Sequence, residues 1–73
     1  MRLPDAIKSI LSKQGKTQQW LADEMGYSSR QVLHDAIHRG HIRLDTLLRM
    51  CKCLGCDVAI LYKDWEYILE DKK

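Results

Sequence analysis

No run of apolar residues in this chain approaches the roughly 20 needed to cross a bilayer, so a helical membrane span is not expected. Proline occurs once, at Pro4, and glycine four times, too seldom for a collagen-like or low-complexity chain. No uninterrupted apolar stretch follows Met1-Arg2-Leu3-Pro4-Asp5, which argues against a signal peptide and makes a cytoplasmic location the expectation. Length is also scarce. The 73 residues allow one small domain, taken here as 1–73. A domain of that size buries only about 60% of the surface its unfolded chain exposes, which disfavours a deep catalytic cleft. With no Gly-rich loop or ordered acid–base pair either, an enzyme is not expected. What is present, 45% hydrophobic and 30% charged residues, is the balance of a globular protein.

Cysteine is sparse and clustered. Cys51, Cys53 and Cys56 cannot all pair internally, and a secreted scaffold of this size would usually spread an even number along the chain. A Cys-x-Cys-x-x-Cys metal site would lack a nearby fourth ligand, and Cys51 and Cys53 would face different sides of a helix. Reduced, mainly structural thiols are expected, with no metal and no cofactor. The net charge is only +2, but it is unevenly placed. Residues 1–43 carry seven Lys and Arg against four acids, together with all three histidines, while residues 44–73 carry five against six. A basic front with a mildly acidic tail suits one anion-facing surface.

Apolar spacing predicts four helices. Leu3, Ile7, Ile10 and Leu11 form one stripe, with Pro4 in the first turn and Gly15 as the stop. Thr17 supplies an N-cap for a helix over about 18–25, facing inward through Leu21, Ala22 and Met25. After Gly26, Ser28 or Ser29 caps a third helix to about 38, with Val32, Leu33, Ala36 and Ile37 apolar. Leu44, Leu47, Leu48, Cys51 and Leu54 define a fourth, ended by Gly55. Beyond it the period changes to two, in Val58-Ile60-Tyr62 and Trp65-Tyr67-Leu69 around Lys63-Asp64. That pattern predicts a short C-terminal β-hairpin within about 57–70, although the break lacks glycine and a helix over 64–71 remains an alternative. Lys72-Lys73 is expected to fray. The fold class is therefore mainly α, a four-helix domain with a C-terminal hairpin.

The stretch from Thr17 to Val32 has the arrangement of a helix-turn-helix, set within about 17–38. Ala22 is small where two helices cross closely, Gly26 permits a sharp turn, and Leu21, Met25, Tyr27 and Val32 offer contacts between the helices. Such a pair projects its second helix outward, able to enter a major groove roughly 12 Å wide. An ordinary helical hairpin in a small bundle would share the apolar spacing. It would not explain Thr-Gln at the start of the first helix together with a polar second helix.

With "KTQQWLADEMGYSSRQVL" followed by "RGHIRLDTLLRMCKCLGCDVAI", the chain resembles the phage-repressor-like (Cro/C1 or XRE) helix-turn-helix regulators over about residues 3–61. It departs from them over His34-Asp35-Ala36-Ile37-His38-Arg39-Gly40, where many members carry a glutamate followed closely by a glycine. The resemblance implies a repressor-like helix-turn-helix domain that binds double-stranded DNA as a small transcriptional regulator, a repressor of phage or bacterial origin. It implies that Thr17 and Gln18 hold a phosphate, and that Ser28, Ser29, Arg30 and Gln31 open the recognition helix. Arg30 would then donate to a guanine and Gln31 would bind an adenine. His34 and His38 follow along the helix, beside the groove or the backbone, and Arg39, His41 and Arg43 become phosphate candidates. A domain reading so few base pairs needs a second copy, so a homodimer on a palindromic operator is expected, with the strands as one route to it.

Several of these residues have plainer roles open to them. Ser28 and Ser29 would serve as caps, and Arg39 and Arg43 as ordinary surface charge. His34, His38 and His41 suggest a metal, but Asp35 stands where a catalytic zinc motif needs glutamate, so none is expected. Protonation of these imidazoles would instead make phosphate binding sensitive to pH. Trp20 is expected to pack beside Trp65 or Tyr67. In a rival reading from another class, Trp20, Trp65 and Tyr67 anchor a protein partner, as in an antitoxin or a phage-encoded inhibitor on the same fold.

Overall fold

Local chemistry places the helix ends in the computed structural model, which describes residues 2–63 and 65–69. Helix α1, Leu3–Gln14, begins with Pro4 in its first turn, where a missing N–H costs nothing. Helix α2, Gln18–Glu24, starts on Thr17, whose Oγ1 accepts the Trp20 N–H at 3.1 Å. Helix α3 spans Arg30–His38 and α4 spans Leu44–Leu54. The turn between α2 and α3 needs Gly26, whose φ of 76° lies in the left-handed region that costs a side-chain-bearing residue about 1–2 kcal/mol. Among the described residues no helix is long and apolar enough to cross a membrane.

The chain ends in strands β1, Val58–Tyr62, and β2, Trp65–Leu69, paired antiparallel from Val58 opposite Leu69 to Tyr62 opposite Trp65. This is the expected hairpin, and the helical alternative does not form over residues 65–69. A two-residue connection demands left-handed backbone. Lys63 supplies it with φ 54°, so no glycine is needed. The other turn residue, Asp64, and the expected fraying of Lys72-Lys73 lie outside the described residues.

Leu21, Leu33 and Met50, one from each of α2, α3 and α4, form the fully buried centre, and Ile7 and Leu11 close it from α1. Cys51 is buried, as its place in the α4 stripe implied. Three apolar assignments need correction. Val32 is 39% exposed, because Leu33, Ala36 and Ile37 share the inward face of α3 and leave it on the outer one. Leu44 is exposed at the first turn of α4, while Met50, which the expected stripe left out, is completely buried. Trp20 packs against the helical core, with Lys16 Nζ 4.0 Å from its ring centroid. Tyr67, its expected neighbour, is 55% exposed, and the Trp65 side chain lies outside the described residues.

Two long side chains tie the helices end to end. Gln14 donates from Nε2 to the Leu54 carbonyl, joining the end of α1 to that of α4. Arg49 Nη2 donates to the Met25 carbonyl at 3.1 Å, so α4 holds the turn between α2 and α3. A carbonyl at a helix end lacks an intrahelical donor, which explains the value of that guanidinium there.

Candidate nucleic-acid interface

The turn after α2 sets the position of α3, whose inward side is fixed by Leu33, Ala36 and Ile37. Its first residues, Arg30 and Gln31, are therefore exposed, together with Ser28 and Ser29 ahead of them. Ser29 occupies the N-cap position, but its side chain makes no cap hydrogen bond. This corrects its expected capping role and leaves the hydroxyl available to another partner.

A groove of about 540 Å³ runs beside this end of α3. Lys8 and Lys16 line it with Thr17, Gln18 and Arg30, and among the described residues no acidic side chain does. Among the described residues no carboxylate pairs with Arg30. Thr17, Gln18 and Arg30, expected to serve one ligand, are thus brought together. Lys8 and Lys16 were missed. The available signal was Lys16 next to the cap residue Thr17, with Lys8 one turn before Ser12 on the polar side of α1.

The rest of α3 is already bonded within itself. Gln31 Nε2 donates to Asp35 Oδ1 at 2.9 Å, so binding an adenine would require it to exchange that partner. The His34 and His38 rings stack with centroids 3.9 Å apart and an interplanar angle of 16°. His38 Nδ1 lies 2.9 Å from the His34 carbonyl. A carbonyl only accepts, so Nδ1 carries a proton there and the opposite edge of the ring is left for another partner. His34 Nδ1 lies 3.7 Å from Asp35 Oδ1. Among the described residues no three His, Cys, Asp or Glu side chains stand together as a metal site.

Arg39 and Arg43 come together elsewhere, lining a cleft of about 290 Å³ with His41 and Thr46. Arg39 follows α3 directly and is exposed. Arg43 Nε is 3.4 Å from Asp45 Oδ1, an exposed ion pair of the kind that contributes little and yields readily to a stronger anion. Among the described residues, cations thus gather at both ends of α3, Arg30 with Lys8 and Lys16 at the first and Arg39 with Arg43 at the second. In comparisons with protein families, with characterised proteins and with solved structures, none matches the chain.

Proposed function

We propose that this chain binds double-stranded DNA sequence-specifically, as a small transcriptional regulator acting as a repressor. The observation that carries the reading is the acid-free groove in which Lys8, Lys16 and Arg30 meet Thr17 and Gln18 beside the exposed start of α3. A phosphate strand supplies the repeated anion such a groove suits, and the neighbouring helix end then reaches base edges. The resemblance of residues 17–32 to the helix-turn-helix pattern points the same way. In this reading Lys8, Lys16, Thr17 and Gln18 hold one phosphate segment. Ser28, Ser29, Arg30 and Gln31 meet bases, His34 and His38 lie further along the groove, and Arg39 and Arg43 hold a second phosphate segment.

Two copies supply the length of site that one cannot. Tyr67 and Ile68, neighbours on opposite faces of β2, are 55% and 46% exposed, so among the described residues this strand offers both an unpaired edge and apolar surface to a second hairpin. Recognition helices placed about 34 Å apart would read a palindrome. A chain that stays monomeric at high micromolar concentration, with and without its DNA, would overturn the dimer. The same exposed pair is the observation favouring a protein partner instead.

Selection from random duplex DNA, followed by fluorescence anisotropy across a salt series, tests the function. The expected result is an enriched palindrome whose binding Arg30→Ala weakens by about 1–3 kcal/mol while relaxing the preference at one base position. Weak binding, equal for all sequences and lost at physiological salt, would reject the reading in favour of the protein-binding one.

A further inference from the structure

Three of the described helices close with the same backbone device, and at the end of α4 the two residues it joins are both cysteines. At each end a left-handed glycine lets two N–H groups turn back onto the last helical carbonyls. The outer bonds run from Lys16 to Leu11, from Tyr27 to Ala22 and from Cys56 to Cys51, each at 2.9 Å. The inner bond at α4 runs from Gly55 to Lys52 at 3.4 Å. In such a closure the side chains of the first and sixth residues commonly touch. In α1 and α2 those pairs are Leu11 with Lys16 and Ala22 with Tyr27. In α4 the pair is Cys51 with Cys56, both free thiols, the first buried and the second half-buried. Cys53 does not join them, because its Sγ lies 3.9 Å from Met25 Sδ on another face of the helix.

We propose that Cys51 and Cys56 form an oxidation site, where a hydroperoxide converts the two thiols into a disulfide across the end of α4. A disulfide needs Cα atoms about 4.4–6.8 Å apart, and a direct main-chain hydrogen bond holds two residues near that spacing. Cys56, the more exposed sulfur, reacts first. Its thiolate attacks a peroxide oxygen, the O–O bond breaks, and a sulfenic acid forms while the departing oxygen takes up a proton to become water. The Cys51 sulfur then attacks the Cys56 sulfur, the S–S bond forms and the S–O bond breaks. Hydroxide leaves and becomes water with the Cys51 proton. Two thiols lose two electrons in all, and one hydrogen peroxide is reduced to two waters. Burial first, and then Cys56 and Asp57, push the Cys51 thiol up to about 12. Cys51 therefore waits as a thiol and gives up its proton as its sulfur attacks.

The test uses the full reduced chain, treated with hydrogen peroxide, alkylated and digested for mass spectrometry. The expected product has lost two hydrogens and keeps one alkylatable thiol, Cys53. Cys53→Ser should still form the link, whereas Cys56→Ala should abolish it with the helical circular dichroism unchanged. Cys51→Ala should do the same, and if it does not fold, the half-buried Cys56→Ala decides. Three alkylatable thiols after treatment, a bond involving Cys53, or disulfides only between chains would each overturn the proposal. The result does not depend on whether the chain binds DNA.

Discussion

Burying a thiol makes stability depend on pH, and Cys51 gives that dependence a sign. Its ionisation moves from an ordinary 9.0 to about 12 on folding, chiefly because burial disfavours the thiolate. Below 9 both states keep the proton and the contribution is fully present. Between 9 and about 12 the unfolded chain loses the proton first, so stability should fall as pH rises. Urea titrations over that range should show the fall, and Cys51→Ala should flatten it. Gly26 is exposed and an added Cβ would meet nothing within 4 Å, yet its φ of 76° makes Gly26→Ala costly by conformation alone. A loss of about 1–2 kcal/mol in the same measurement is expected. At Leu33, completely buried, truncation to Ala should cost about 2–5 kcal/mol. Its neighbour Val32 shows where residue-level reading stops. Four apolar residues in α3 exceed what one face can hold, and only the packing of α1 and α2 against it decides which of them stays outside.

Among the elements, helix boundaries were largely legible because they are written in local chemistry, in Pro4, Thr17, Gly26 and Gly55. The hairpin was legible by its period, but its turn was less so, since left-handed backbone at Lys63 replaces the glycine that would have marked it. Residues that act between elements were not legible. Arg49 looks like surface charge on α4 until the fold brings the Met25 carbonyl to it, and Lys8 belongs to the candidate interface only because α1 lies beside α2 and α3. Arg49→Ala should destabilise the domain by about 1 kcal/mol in urea titration, through loss of the bond that holds the turn. The hairpin touches the helices chiefly through β1 against α4, and a two-stranded sheet is marginal alone. Hydrogen exchange should therefore find β2 amides opening locally, well before those of Leu33 and Met50. Equal protection in all three would show the strands to be part of the cooperative core.

For the whole molecule, a net charge of +2 is too small to make nucleic-acid binding by itself, and the arrangement of charge carries the expectation instead. Lys16→Ala should weaken binding about equally on all sequences and reduce the salt slope by roughly 1, in contrast to the base-selective loss at Arg30. A slope that does not change would remove Lys16 from the phosphate path. The cationic sites at the two ends of α3 were only half legible, because sequence distance hides which cations share a groove. The repeated helix closure has a kinetic consequence as well. Residues 11–16, 22–27 and 51–56 each bring six-residue segments back on themselves, and short loops lose little entropy on closing. The turns after α1, α2 and α4 can thus form before distant residues meet, whereas the joining of α1 to α4, at Gln14 and Leu54, closes a separation of 40 residues. A topology built from such local steps should fold within microseconds to milliseconds, with that last junction setting the pace.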